Sequence, residues 1–155
     1  MALLVGVGNP MRRDDGVGPA VARRVASLHI PGVHVEVGAE PLALLDHLPR
    51  RDTVVVVDAA APGPRPGTVS VLTLGGRPLP RRVSALAPHG LGVAEVVELA
   101  RALGPLPTCL VLVTVEAGDV TLGVGLTRAV ADHLDDAVAA VLTALAPPDD
   151  APLTG

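Results

Sequence analysis

Short apolar runs recur along the chain and predict the strands of a sheet. The first and third of these runs lack polar alternation, which is typical of strands covered on both faces, as in a parallel sheet. Four consecutive valines form the most uniformly apolar run, and Asp58 ends it. The predicted strands are Ala2–Val7, Val33–Val37, Thr53–Val57, Gly67–Leu74 and Thr108–Val115.

Amphipathic stretches between these runs predict helices. In the first stretch, apolar residues repeat at helical spacing and should face the sheet. These residues are Val17, Val21, Val25 and Leu28. The predicted helices are Gly16–Leu28, Pro41–Leu48, Leu91–Leu103 and Leu126–Leu145.

The alternation of strands and helices is typical of an α/β sandwich with a mostly parallel sheet. The link Ala59–Pro66 is shorter than the roughly dozen residues that a parallel crossover needs. We therefore expect Gly67–Leu74 to run antiparallel to its neighbours, in a five-stranded mixed sheet between helices. Residues 1–146 form one domain in this interpretation, and the Pro- and Asp-rich residues 147–155 are predicted to be a flexible tail.

Composition narrows the classes of function. The chain has 155 residues, a net charge of −4, no aromatic residue and no lysine. A nucleic-acid partner is not expected, because aromatic stacking platforms and a basic surface are both missing. The lack of lysine excludes P-loop and Schiff-base chemistry, and the single cysteine excludes an intramolecular disulfide. No apolar run approaches the length of a membrane segment, so we predict a cytoplasmic protein.

Three polar residues stand where a doubly wound sheet could bring them together. Asp15 follows the first strand, Asp58 ends the third strand, and His89 precedes the third helix. In such sheets, ligands bind outside the carboxyl ends of the strands, where the strand order reverses. If strands one and three are neighbours, Asp15 and Asp58 share that crevice, and His89 reaches it if the Arg77–Pro88 loop folds back over the same edge. Two carboxylates and an imidazole suit a borderline divalent metal with open positions for a substrate.

Each of these residues also has a purely structural interpretation. Asp15 precedes a helix and could be its N-cap, while Asp58 could be a solvated turn residue. A lone loop histidine is more often a surface residue than a ligand. This surface interpretation is adopted for the remaining histidines, which are His29, His34, His47 and His133.

Motifs for other chemistries are incomplete. The segment Gly6–Met11 begins like a dinucleotide-binding loop, but Met11 stands where a third small residue is needed. None of the three serines has the flanking glycines of a nucleophile elbow. Cys109 lies in an apolar strand, which is typical of an inert core thiol. Water is therefore the expected nucleophile of a hydrolytic reaction.

A set of motifs extends in order along nearly the whole domain. Its members are Gly6-Val7-Gly8-Asn9, Asp14-Asp15-Gly16-Val17-Gly18, Val55-Val56-Val57-Asp58-Ala59, Pro66-Gly67-Thr68, His89-Gly90-Leu91, Val115-Glu116 and Gly125-Leu126-Thr127. With this combination the sequence resembles the hydrogenase maturation proteases. These endopeptidases trim the C-terminus of the nickel-iron hydrogenase large-subunit precursor.

The resemblance implies a three-layer α/β/α sandwich of the phosphorylase/hydrolase-like kind, with a twisted five-stranded sheet. It also implies nickel recognition by Asp15, Asp58 and His89. The nickel would arrive in the substrate and would be bound only weakly by the isolated protein, so that cleavage follows metal insertion. The implied partner is the nickel-iron hydrogenase large-subunit precursor, and we expect the protein itself to be a monomer.

Two departures from the family pattern lie near these residues. Small hydroxyl residues usually precede the histidine, where this chain has Ala87 and Pro88. After the second strand, Gly38-Ala39-Glu40 replaces a glycine followed by a threonine or a similar residue. Glu40 could be a fourth oxygen ligand, but we favour an acid that stabilises the start of a helix.

The roles of the two aspartates stay open at the level of sequence. A metal could polarise the scissile carbonyl or activate water, Asp15 or Asp58 could act as the base, or nickel could only position the substrate. Asn9, Gly38 and Gly90 are assigned to substrate binding, the last because it would give the histidine loop mobility. The alternatives to a protease are a non-catalytic nickel- or precursor-binding assembly factor and a small-molecule metallohydrolase on the same fold.

Overall fold

Five strands form one mixed sheet in the order β2-β1-β3-β5-β4 within the residues that the computed structural model describes, 1–74 and 92–147. Their bounds are Ala2–Val7 for β1, Val33–Ala39 for β2, Thr53–Ala60 for β3, Val69–Thr73 for β4 and Cys109–Glu116 for β5. The first, second, third and fifth strands are parallel, and β4 pairs with β5 in the antiparallel sense. This confirms the predicted mixed sheet and its antiparallel fourth strand.

Helices cover both faces of the sheet and complete the three layers. They are α1 (Val17–Ala26), α2 (Leu44–His47), α3 (Val93–Leu103), α4 (Arg128–Asp132) and α5 (Leu134–Leu145), with 3-10 turns at Arg13–Gly16, Pro41–Ala43 and Leu48–Arg50. Residues of α1 and α5 pack on one face, and residues of α2 and α3 pack on the other. No helix in the described part of the chain is long and apolar enough to span a membrane.

The core consists of two apolar layers that share the central strand. Val55 and Val57 belong to the layer under α1, whereas Val54 and Val56 belong to the layer under α3. All four valines are fully buried. A strand that is covered on both faces needs apolar side chains at every position, which explains the uninterrupted valine run. Burial of each such side chain stabilises the fold by about 1.5–3 kcal/mol.

Glycines let α1 approach the ends of β1 and β3 closely. A Cβ atom on Gly18 would lie 2.1 Å from the carbonyl oxygen of Val7 and 2.6 Å from that of Val57. A Cβ atom on Gly6 would lie 2.6 Å from the Cβ of Ala22. The glycines in the first signature therefore serve helix–strand packing, and this packing fixes the loop between β1 and α1.

Several predicted boundaries are wrong. The first helix ends at Ala26, and Leu28 is exposed, so it does not join the core face. The predicted final helix is broken at His133, where the backbone leaves helical angles and the N–H bonds to the carbonyl of Val130, only three residues back. Such a tightened turn ends α4 before α5 begins.

Three other elements also differ from prediction. The predicted helix Pro41–Leu48 is a single α-helical turn between two 3-10 turns, each with a proline at one of its first two positions. The third helix starts at Val93 rather than Leu91. The third strand continues past Asp58 to Ala60, because β5 pairs with it as far as Glu116.

Candidate functional site

The loops after β1 and β5 meet at the carboxyl end of β3. In the sheet, β1 and β5 are the two neighbours of β3, and all three strands run parallel. Their carboxyl ends therefore lie at one edge. Asp15 belongs to the loop after β1, and Asp58 lies in β3 itself, paired with Thr114 of β5. The structure thus brings these two predicted site residues to the same edge of the sheet.

Asp15 is held by the loop in which it lies. Its Oδ2 accepts a hydrogen bond of 2.9 Å from the N–H of Asn9. The side chain of Asn9 in turn accepts a bond of 2.9 Å from the N–H of Met11. Gly16 occupies the N-cap position of α1, which has no side-chain cap. Asp15 is therefore not the helix cap, and its carboxylate stays available at the sheet edge.

Asp58 is a partly buried carboxyl group with an altered acidity. Its Oδ1 accepts a hydrogen bond of 2.8 Å from the N–H of Ala59. Burial raises the pKa of Asp58 to about 8, with a further contribution from the negative charge of Asp15 and a smaller opposing effect of the Ala59 N–H. Asp58 therefore holds its proton to a higher pH than an ordinary aspartate does. Because Asp58 lies inside β3 and is paired with Thr114, the interpretation as a solvated turn residue is wrong.

The alternation of side chains along β3 places Asp58 on the face that α3 covers. Val54 and Val56 point to the same face as Asp58, and Val93 at the start of α3 packs against this layer. His89 and Gly90, the remaining predicted metal and substrate residues, lie outside the described residues. Within residues 1–74 and 92–147, no three histidine, cysteine or acidic side chains gather as a metal site. The described part of the site is a pair of carboxyl groups, which favours a cationic ligand.

Asp14 is a component of the site region to which sequence analysis assigned no role. Its side chain is fully buried. Its Oδ2 accepts bonds of 2.8 Å from the N–H of Gly118, 3.0 Å from that of Asp119 and 2.8 Å from the Thr127 hydroxyl. Its Oδ1 accepts a bond of 2.7 Å from the N–H of Thr127. Asp14 therefore fastens the loop after β5 to the loop that carries Asp15.

The sequence contains both partners of this link between the loops, but their spacing does not reveal it. Asp14 and Thr127 both belong to the motifs of the family resemblance, yet they are 113 residues apart. Nothing in the local pattern distinguishes the first aspartate of the Asp14-Asp15 pair from the second. Their difference arises only when the two loops meet.

Gly38 lies beside the site at the end of β2. The register of β1 with β2 shifts between Gly6 and Val7, which leaves Gly38 as an extra residue between the partners Val37 and Ala39. Its φ of 76° is in the left-handed region, and no atom lies within 4 Å of the position of a Cβ. The structure therefore shows a bulge with open space around it, next to the loop that contains Asn9.

The remaining candidates lie elsewhere or on the surface. Cys109 begins β5, so it lies at the opposite edge from Asp58. His34 and His133 form exposed pairs of 3.0 Å with Glu36 and Asp136. The Glu40 side chain makes no capping bond to the turn that follows it.

Comparisons with known proteins agree with the fold and the sequence signature. A family model described as hydrogenase maturation protease matches residues 24–144. The Hydrogenase 2 maturation protease of Escherichia coli (strain K12) is 30% identical over 148 residues, covering 92% of this chain and 89% of that protein. The hydrogenase expression/formation protein HupD of Rhodobacter capsulatus is 29% identical, covering 88% of this chain and 67% of that protein.

Solved structures give the same result. The hydrogenase maturating endopeptidase HybD from E. coli has a TM-score of 0.74 and 28% identity, covering 93% of this chain and 91% of that chain. The hydrogenase 2 maturation peptidase from Thaumarchaeota archaeon SCGC_AB-539-E09 has a TM-score of 0.70 and 29% identity, covering 93% and 97%. The family model spans well over half of this chain, and the whole fold agrees. The chain therefore belongs to the hydrogenase maturation protease family and is a hydrolase.

Proposed function

We propose that this protein is the endopeptidase that removes the C-terminal peptide of a nickel-iron hydrogenase large-subunit precursor after nickel insertion. In this proposal Asp15 and Asp58, together with His89, recognise the nickel in the precursor. The observation that carries it is the position of Asp58 beside Asp15, in surroundings that raise its pKa to about 8. Family membership supports the processing of a hydrogenase precursor by peptide-bond hydrolysis.

The electrostatics of the pair favours a divalent cation. A carboxyl group that is partly buried beside another carboxylate keeps its proton because its negative charge is poorly compensated. An approaching nickel ion supplies that compensation, so Asp58 releases its proton and becomes a ligand. Two carboxylates and one imidazole leave coordination positions open, which the precursor fills with its own ligands, softer than these oxygens. Nickel is thus part of the substrate, and the isolated protein holds it weakly.

The same carboxylate is suited to proton transfer. The proton that nickel displaces leaves Asp58 ionised, and an ionised carboxylate can act as a general base. Water attacks the scissile carbonyl, Asp58 accepts a proton from that water, and the proton passes to the nitrogen of the leaving peptide. Nickel held next to Asp15 positions the scissile bond for this attack. Asn9 fixes the Asp15 carboxylate through its backbone N–H.

A cleavage assay on nickel-loaded precursor tests the proposal. Mass spectrometry should show the precursor shortened at its C-terminus with the wild-type protein and intact with Asp58→Asn. Asp52→Asn is the matched control, because Asp52 is exposed at the other end of β3. It should cleave normally. Binding of the precursor without cleavage by the wild-type protein would instead indicate the assembly factor.

A further inference from the structure

Three large apolar side chains are exposed on the two loops that border the candidate site. Met11 lies in the loop after β1 and is 58% exposed. Leu122 and Val124 lie in the loop after β5 and are 81% and 76% exposed. Exposed apolar groups that cluster beside a site commonly mark a surface for a protein partner. We call Met11, Leu122 and Val124 the loop patch.

Backbone hydrogen bonds hold the two halves of the loop patch together. The N–H of Gly123 donates to the carbonyl of Met11 at 2.9 Å, and the N–H of Arg13 donates to the carbonyl of Gly123 at 3.0 Å. The Arg12 side chain donates to the carbonyl of Val120 at 3.2 Å. The φ of Gly123 is 153°, a backbone conformation that residues with a Cβ rarely adopt, so glycine favours this approach. The patch is therefore a joined surface of two segments rather than three unrelated side chains.

The loop patch is continuous with the carboxyl pair. The N–H of Met11 bonds to the side chain of Asn9, whose own N–H bonds to Asp15. Asp14 ties the loop of Leu122 and Val124 to the same turn. Because β1 and β5 flank β3, their joined loops lie beside the strand end that carries Asp58. A polypeptide whose scissile bond lies at Asp58 must pass close to these loops.

We propose that the loop patch binds an apolar segment of the protein substrate, next to the bond that is cleaved. This inference rests on the proposed function, since it takes the hydrogenase precursor as the occupant. Two neighbouring surfaces would then bind different parts of the precursor. The two carboxyl groups attract the part that carries nickel, and the loop patch contacts an apolar stretch beside it. The patch would thereby contribute to substrate selection without taking part in the chemistry.

Steady-state cleavage of nickel-loaded precursor by a double variant tests this proposal. Leu122→Ser with Val124→Ser should raise KM about tenfold and leave kcat unchanged, because the patch binds substrate before the reaction. The matched control is Leu28→Ser with Leu103→Ser. These side chains are also exposed, at the helix ends near the opposite edge of the sheet. The control should keep the wild-type KM.

Other results of this cleavage assay would overturn the proposed role of the loop patch or the proposed function. An unchanged KM in the Leu122/Val124 variant overturns the proposal. A wild-type protein that is oligomeric by light scattering and becomes monomeric in this variant, with unchanged KM, shows that the patch joins copies of this chain instead. If the wild-type protein does not cleave the precursor, the proposed function fails. The affinity for the precursor then tests the loop patch separately. Weaker binding of the precursor by the Leu122/Val124 variant than by the wild-type protein supports the proposed role of the patch, and equal binding overturns it.

Discussion

Two carboxyl groups near one edge of the sheet have opposite surroundings. Asp14 is fully buried and accepts hydrogen bonds from three backbone N–H groups and one hydroxyl. Asp58 is partly buried, has the N–H of Ala59 as its hydrogen-bond donor, and lies within the influence of Asp15. The first group has the donors that a buried carboxylate needs. Within residues 1–74 and 92–147, the second has one such donor, the N–H of Ala59.

The surroundings of the two groups differ in how well they stabilise a negative charge. Several N–H groups that donate to one carboxylate stabilise its negative charge, and the same hydrogen bonds hold the two loops together. A partly buried carboxyl group with a negative neighbour resists ionisation, so a cation bound beside it would favour its ionised form. Asp14 thus ties two loops together, whereas Asp58 has the raised pKa on which the proposed chemistry depends. Substitutions at either aspartate, or at the glycines near them, change one side of this comparison.

Removal of the Asp14 carboxylate should destabilise the fold more than any other change proposed for these residues. Asp14→Ala leaves three backbone N–H groups in the interior without their acceptor, and each such group costs about 1–3 kcal/mol. We expect the free energy of unfolding to fall by about 3–5 kcal/mol in urea denaturation. Asp135→Ala, at an exposed helix position, should change it by less than about 0.5 kcal/mol. Equal losses in the two variants would contradict the fastener role.

Asp58→Asn should stabilise the substrate-free protein at alkaline pH. The pKa of Asp58 is raised from 3.8 to about 8 in the folded state, so its favourable contribution is complete below pH 3.8 and is lost as the pH rises toward 8. The wild-type protein should therefore lose up to about 1.4 kcal/mol per pH unit across this range from this group. Asparagine does not titrate, so the stability difference between variant and wild type should grow from pH 4 to pH 8. A difference independent of pH would refute the raised pKa.

Gly18→Ala should disturb the spacing between the two carboxyl groups. The added Cβ would approach the carbonyl oxygens of Val7 and Val57 to within 2.6 Å, so α1 must move away from the sheet. We expect a loss of about 1–3 kcal/mol of stability. Because Asp15 lies two residues before α1, the pKa of Asp58 should also move toward its ordinary value. A titration of the Asp58 carboxyl by NMR measures this shift, and an unchanged pKa would mean that α1 does not set the spacing.

Gly38→Ala should have the smallest effect on stability. Its left-handed backbone disfavours a Cβ by about 1 kcal/mol, although the surrounding space is open. Gly104→Ala is the matched control, because Gly104 also has open space but an extended backbone with a φ of 170°. If Gly38 contacts substrate, KM for the precursor should rise in the first variant and not in the second. The same KM in the two variants would show that Gly38 does not contact the substrate.

Sequence analysis was sufficient for the sheet and for the Asp15–Asp58 pair. Uninterrupted apolar runs identify strands that are buried on both faces, and the short link after the third strand determines the direction of the fourth. The structural role of Asp14 was not predicted, because its hydrogen-bond donors come from a loop more than 100 residues away in the sequence. The break between α4 and α5 at His133 was not predicted either, because the apolar periodicity continues across both helices. Long-range hydrogen bonds and local backbone turns leave little trace in a hydrophobic pattern.

Cleavage of metal-free and nickel-loaded precursor, measured side by side, tests the central claim most directly. If Asp15 and Asp58 recognise the nickel in the substrate, the wild-type protein should release the C-terminal peptide from the nickel-loaded precursor and leave the metal-free precursor intact. Asp58→Asn should fail in both arms, and Asp52→Asn should behave like the wild type. Equal cleavage of the two precursors by the wild-type protein would show that the carboxyl pair does not sense the metal.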